Sequence, residues 1–142
     1  MAREEFEEIV ETFEFLDDWE DRYRHVIDMG KSMPEMDDNL KSALTKVDGC
    51  VSQVWIAPTI KGDGSDKRLS FVGDSDAMIV KGLIAVLRAL LSGETTSAIV
   101  STDVVKELGR LGLDQHLSAQ RSNGLKAMVA RLKGLAEAAE AT

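Results

Sequence analysis

Near the start of the chain the apolar residues Phe6, Ile9, Val10, Phe13 and Leu16 recur at three- and four-residue steps, with carboxylates filling most of the gaps. That period lines them along one stripe and predicts an amphipathic first helix. Trp19, Tyr23, Val26 and Ile27 repeat the spacing. Asp17 or Asp18 can cap this second helix, Gly30 can take the left-handed stop conformation, and Pro34 bars continuation. Over 37–48 the pattern weakens, with Leu40, Leu44 and Val47 spaced like a short helix or a loop pinned at a few points. After Gly49 it changes kind. Cys50-Val51-Ser52-Gln53-Val54-Trp55-Ile56-Ala57 is rich in β-branched and aromatic residues, and Leu69-Ser70-Phe71-Val72 follows the turn-forming Lys61-Gly62-Asp63-Gly64-Ser65-Asp66. These read as two strands of a hairpin, which is marginal alone and must lie against helices or gain another strand.

Helical spacing then returns. Ser75 is a good cap for a helix over 76–91, whose Met78, Ile79, Leu83, Val86, Leu87 and Leu90 are spaced for burial, with Gly93 just beyond. Further helices are expected over 96–101, 102–111 and 120–139, the last carrying Leu125, Met128, Val129, Leu132 and Leu135 on one stripe. Helices, hairpin, helices is an α+β order. No internal repeat or linker divides the chain, so 1–142 is expected to form one domain.

Composition narrows the function classes. With 17 Lys+Arg against 25 Asp+Glu the formal net charge is −8, which disfavours nucleic acid, whose phosphates are bound by clustered cations. The acid is concentrated: the first forty residues hold fourteen carboxylates and four Lys/Arg, a local net of −10. Solvated helix faces account for this, with a docking surface for a basic partner as the alternative. The longest apolar stretch, 83–91, is interrupted by Arg88 and far short of a bilayer span, and residues 1–8 have no apolar signal core, so a cytoplasmic location away from membranes is expected.

One cysteine and two histidines leave no Cys/His cluster at metal-ligand spacing, and any sulfur chemistry must pass through Cys50. Cys50 follows Gly49 at the mouth of a loop, where a small neighbour leaves room for approach; a small buried hydrophobe is the alternative. Lys46 and Asp48 nearby have opposite signs. Cys50 with His116 and a carboxylate would make a thiol-hydrolase constellation. Gly62-Asp63-Gly64-Ser65 joins two strands and lacks the third glycine and following helix of a dinucleotide loop, so it reads as a turn. Asp74-Ser75-Asp76 reads as helix capping ahead of a metal loop, and Arg121 with Asn123-Gly124 as the opening of the last helix.

Taken together, the segments resemble the SufE family of sulfur-acceptor proteins. The resemblance rests on Trp19-Glu20 with Tyr23 and Gly30, on Met33-Pro34, and on Gly49-Cys50-Val51-Ser52-Gln53-Val54-Trp55. It continues through Gly73-Asp74-Ser75-Asp76-Ala77 with Val80-Lys81-Gly82-Leu83, and Arg121-Ser122-Asn123-Gly124-Leu125 with Met128. These runs span nearly the whole chain in family order. One departure is Thr45, where family members often carry Asn. The resemblance implies an IscU-like α+β fold with about three antiparallel strands, the third one not located by pattern. It implies that Cys50 accepts persulfide sulfur from a cysteine desulfurase of SufS-like or CsdA-like type, that the protein stimulates that enzyme, and that a SufBCD-type scaffold takes the sulfur. No cofactor is implied, and a monomer or weak homodimer is expected. Gly49 would supply the loop's freedom, Val51 would lie beside the acceptor, and Arg121 would lie in the partner-facing region and help position or stabilise the anionic sulfur, with Asp76 and His116 on the same surface. A non-catalytic adaptor regulating a desulfurase and a Cys-dependent hydrolase are the alternatives.

Overall fold

The computed structural model describes residues 2–49 and 52–141. The first amphipathic segment forms α1 (Ala2–Phe15), which buries Phe6, Ile9, Val10 and Phe13. In α2 (Trp19–Ser32) the expected cap is Asp18, whose carboxylate accepts from the Glu20 N–H at 3.0 Å. The expected stop at Gly30 is absent, because the helix continues to Ser32. Gly30 serves packing instead. It meets Gly82 of α3 (Met78–Leu91): a Cβ on Gly30 would stand 2.6 Å from the Gly82 nitrogen, and one on Gly82 would stand 2.2 Å from the Val26 carbonyl oxygen. Two missing side chains let the backbones of α2 and α3 touch.

With ten of its fourteen residues buried, α3 is the centre of the core, and α1, α2 and the sheet all pack on it. Its start corrects the expected cap. The helix begins at Met78, not Asp76, and Ser75 belongs to a strand. Pairing across the sheet outweighs the capping preference: Val54 stands opposite Ser75, and the Asp76 N–H is taken by the Gln53 carbonyl at 3.3 Å. Ser75 Oγ is left to accept the Ala77 N–H at 3.2 Å.

The sheet is antiparallel in the order β1 (Val54–Lys61), β2 (Arg68–Ser75), β3 (Glu94–Thr95). It therefore has the three strands the resemblance implied. Strand β3 has only two residues, Glu94 opposite Leu69 and Thr95 opposite Arg68, too few for any periodicity to register. Gly93, at φ +86°, turns the chain out of α3 into that pairing. The first strand begins at Val54, within the run 50–57 that carries the strand composition, of which Cys50 and Val51 lie outside the described residues.

The remaining helices are α4 (Thr96–Ser101), α5 (Val104–Gly109), α6 (Leu113–His116) and α7 (Ala119–Glu140). The first matches expectation. In α5 the start moves from 102 to 104, because Asp103 caps it by accepting from the Lys106 N–H at 3.1 Å. The single turn of α6 had no sequence signature. Leu125, Met128, Leu132 and Ala136 are buried along α7, which packs on α4 and α3.

Candidate functional site

Residues 45–47 and 54–56 run antiparallel. The Val47 N–H donates to the Val54 carbonyl at 2.8 Å, the Ile56 N–H donates to the Thr45 carbonyl at 2.8 Å, and Lys46 bridges to Trp55. These bonds pinch off a loop over 48–53. Cys50 and Val51 fall in it by sequence and lie outside the described residues.

Both arms of the loop are anchored. Gly49 has φ +92°, a left-handed conformation that favours glycine, and a Cβ there would come within 3.2 Å of Ala127 Cβ on α7. One turn further along α7, the Arg131 guanidinium donates to the Lys46 carbonyl at 3.4 Å and to the Leu44 carbonyl. The Thr45 hydroxyl donates to the Leu40 carbonyl at 2.5 Å. On the outgoing arm the Gln53 N–H donates to Asp76 Oδ1 at 3.0 Å.

The β2–α3 corner that holds Asp76 is itself pinned. The Asp74 carboxylate takes Lys41 Nζ at 2.8 Å, Lys81 Nζ at 3.5 Å and the Ser75 N–H at 2.8 Å. Burial pushes this carboxyl up. The hydrogen bonds from Lys41 and Ser75 and the charges of Lys81 and Lys41 outweigh it, so Asp74 stays below the usual carboxylate range. Lys41 in turn is held above the usual lysine value, chiefly by its bond to Asp74. Its ammonium also lies 5.3 Å from the centre of the Trp55 ring.

A cleft of about 320 Å³ opens where the loop's exit, the corner and α7 meet, lined by Ser52, Ala77, Val80, Arg121, Gly124 and Met128 among others. Arg121 lies in the first turn of α7, where its N–H donates to the Ser118 hydroxyl at 3.3 Å. Its side chain is exposed, and among the described residues the guanidinium has no hydrogen-bond or ion-pair partner. That charge adds to the partial positive charge at the head of a 22-residue helix. Such a cleft favours an anion, and a thiolate or persulfide sulfur is one.

Of the residues singled out in the sequence, Gly49 and Asp76 hold the loop's arms and Arg121 lines the cleft. His116 is elsewhere. Its ring stacks on Trp19 at 3.9 Å and 16°, its carbonyl accepts from the Tyr23 hydroxyl, and it is absent from the cleft lining. Arg131 and the Lys41–Asp74 pair were not anticipated. Arg131 grips backbone carbonyls, which carry no residue-type signal, and Lys41 and Asp74 are 33 positions apart. Among the described residues no cluster of His, Cys, Asp or Glu is arranged to hold a metal ion, and no helix is long and apolar enough to cross a membrane.

The sequence matches the profile of SufE, the Fe-S metabolism associated domain, over residues 7–136. It is 47% identical over 131 residues to an uncharacterized SufE-like protein of Rhizobium meliloti, covering 92% of this chain and 94% of that one. Against an uncharacterized SufE-like protein of Rhizobium etli the identity is 46% over 127 residues, covering 89% and 86% of the two chains. The solution structure of a hypothetical protein from Thermus thermophilus superposes on the whole of both chains with a TM-score of 0.72 at 22% identity, a likeness of fold.

Proposed function

The chain belongs to the SufE family, a group of sulfur-transfer accessory proteins in Fe-S metabolism, and from that premise we propose that it accepts and carries sulfur on Cys50. The donor is a cysteine desulfurase, SufS-like or CsdA-like, that holds sulfur as a persulfide on its own cysteine. The Cys50 thiolate attacks the outer sulfur. A new S–S bond forms as the desulfurase's S–S bond breaks, the electron pair leaves on the desulfurase thiolate, and Cys50 is left as the persulfide. One S–S bond replaces another, so the equilibrium lies near balance and a downstream SufBCD-type scaffold draws the sulfur onward. Clearing the desulfurase cysteine for its next turnover is how the carrier stimulates that enzyme. No cofactor is needed.

The single observation that carries this reading is the cleft beside Ser52, two residues after Cys50, with the exposed Arg121 guanidinium at the head of α7. A sulfur anion delivered there gains a positive neighbour without a buried charge to desolvate. The hydrolase alternative has no comparable support, since His116 is committed to Trp19.

The test is intact-protein mass spectrometry after incubation with an active cysteine desulfurase and cysteine. The expected result is a reductant-sensitive gain of one sulfur mass on the wild type and none on Cys50→Ser, with Cys50→Ser still binding the desulfurase. No gain on the wild type overturns the carrier. Desulfurase stimulation that survives intact in Cys50→Ser assigns the protein to the adaptor class.

A further inference from the structure

α1 and α2 each pack on α3, and they meet each other where Phe13 of α1 touches Trp19, Arg22 and His25 of α2. Between them runs an open groove of about 450 Å³, floored by Ala85 and Ala89 of α3 and walled by Ile9 of α1 and Met29 of α2. Its rim is acidic. Glu5 and Glu8 on one side and Asp28 on the other are exposed, and none has an ion-pair partner among the described residues. Two other ionisable groups line it: Arg88, whose Nε donates to the Phe71 carbonyl at 3.1 Å, and His25, whose ring meets Phe13 edge-on at 6.0 Å.

The rim is the visible part of a larger segregation of charge. All fourteen carboxylates of the first forty residues are exposed, whereas the rest of the chain has thirteen Lys/Arg against eleven carboxylates. An apolar floor between two helix walls is a seat for a third helix, and the rim selects its charge. We propose that this groove docks a basic amphipathic helix of a protein partner, laid between α1 and α2 with its apolar face on Ala85 and Ala89. The seat is about two helical turns long, because Glu5 to Thr12 and His25 to Ser32 each rise about 10 Å. Phe15, 86% exposed and seven positions beyond Glu8 on the same line of α1, extends one wall with an aromatic face.

The groove is separate from the cleft. Ile79 and Val80 line the cleft, and at about 100° per residue Ala85, Arg88 and Ala89 fall roughly half a turn away around α3. A partner can therefore stay docked on one side of α3 while the cleft on the other remains open. This surface does not depend on what Cys50 does.

The probe is a synthetic peptide of about 14 residues built from Leu, Ala and Lys at amphipathic helical spacing. The control has the same composition in scrambled order. Titrated into the isotopically labelled full chain, the helical peptide is expected to shift the amides of Thr12, Asp28, Ala85 and Ala89, to weaken with added salt, and to bind at least about tenfold tighter than the control. Glu8→Lys with Asp28→Lys should abolish binding. Ala85→Leu, which fills the floor without touching charge, should weaken it, and Cys50→Ser should bind like wild type. Equal binding of both peptides, or shifts centred on the cleft, overturns the proposal. A concentration-dependent dimer that Glu8→Lys disperses makes a second copy of this chain the occupant and overturns the partner assignment.

Discussion

Gln53 and Asp76 bond each other twice across the root of the cysteine loop. The Gln53 N–H donates to the Asp76 carboxylate at 3.0 Å, and the Asp76 N–H donates to the Gln53 carbonyl at 3.3 Å. The first bond depends on the side chain and the second does not, so substitution can cut one and spare the other. A charge-assisted bond at an exposed site contributes about 1 kcal/mol. Asp76→Ala is therefore expected to loosen the outgoing arm and speed alkylation of Cys50 about fivefold, with little change in melting temperature. Asp76→Asn, which keeps an acceptor, should fall between. Identical alkylation rates in all three proteins would show that the carboxylate does not restrain the loop.

Arg131 performs the corresponding task on the incoming arm by gripping the carbonyls of Leu44 and Lys46. Arg131→Met should lower stability by about 1–2 kcal/mol in urea denaturation and accelerate hydrogen exchange at Val47 and Ile56, whose amides close the loop. Lys reaches one carbonyl where the guanidinium fork reaches two, so Arg131→Lys should recover only part of the loss. Unchanged exchange at both amides would count against the anchor.

Two glycines in helices should respond to alanine with opposite signs. At Gly82 the new Cβ would stand 2.2 Å from a backbone oxygen of α2, so the helices must part, at about 3 kcal/mol or more. At Gly134 in α7 an added Cβ would meet nothing within 4 Å beyond its own stretch of helix, and Gly134→Ala should add roughly 0.5–1 kcal/mol through helix propensity and a less flexible unfolded chain. Chemical denaturation of the two variants side by side checks the contrast.

The contact between Gly30 and Gly82 marks how far the fold was legible. Apolar spacing located α1, α2, α3 and α7, because each turns a stripe of apolar residues inward that leaves a periodic trace. It misjudged Gly30, whose local signature is that of a helix stop and whose actual reason is a neighbour 52 positions away in sequence. Ser75 failed in the same direction, since an N-cap preference gave way to strand pairing with Val54. For the site, the lone cysteine and the positions of Gly49, Asp76 and Arg121 came from motif resemblance. The anchors formed by Arg131 and Lys41 did not, because one acts on main-chain acceptors and the other on a carboxylate brought near only by folding.

Asp74 gives the protein an acid-sensitive contact. Its folded carboxyl lies below the ordinary value of 3.8, since the bonds and charges of Lys41, Ser75 and Lys81 outweigh the upward push of burial. A depressed folded value means that ionised Asp74 stabilises the fold fully above the ordinary carboxylate range. That contribution disappears as pH falls through the folded value. Asp74→Asn should therefore lower the urea midpoint at neutral pH, and the difference from wild type should close in strongly acidic buffer. A gap that persists unchanged into acid would mean that the ion pairs with Lys41 and Lys81 do not couple to folding.

Arg121 makes the sharpest prediction for the chemistry. If its charge helps hold a sulfur anion at the cleft, removing it must raise the thiol pKa of Cys50, and the effect must be electrostatic in origin. In Arg121→Gln the pH profile of Cys50 alkylation should move to higher pH, with the reactive fraction at neutral pH falling about three- to tenfold at low salt. Arg121→Lys keeps the charge and should move it far less. The cleft is open to water, so at about 1 M salt, where screening acts within about 3 Å, the Gln variant and the wild type should converge. The head of α7 is present in all three proteins and sets a common floor. Superimposable profiles at low salt would leave the helix terminus as the cleft's source of positive potential and remove Arg121 from the sulfur chemistry.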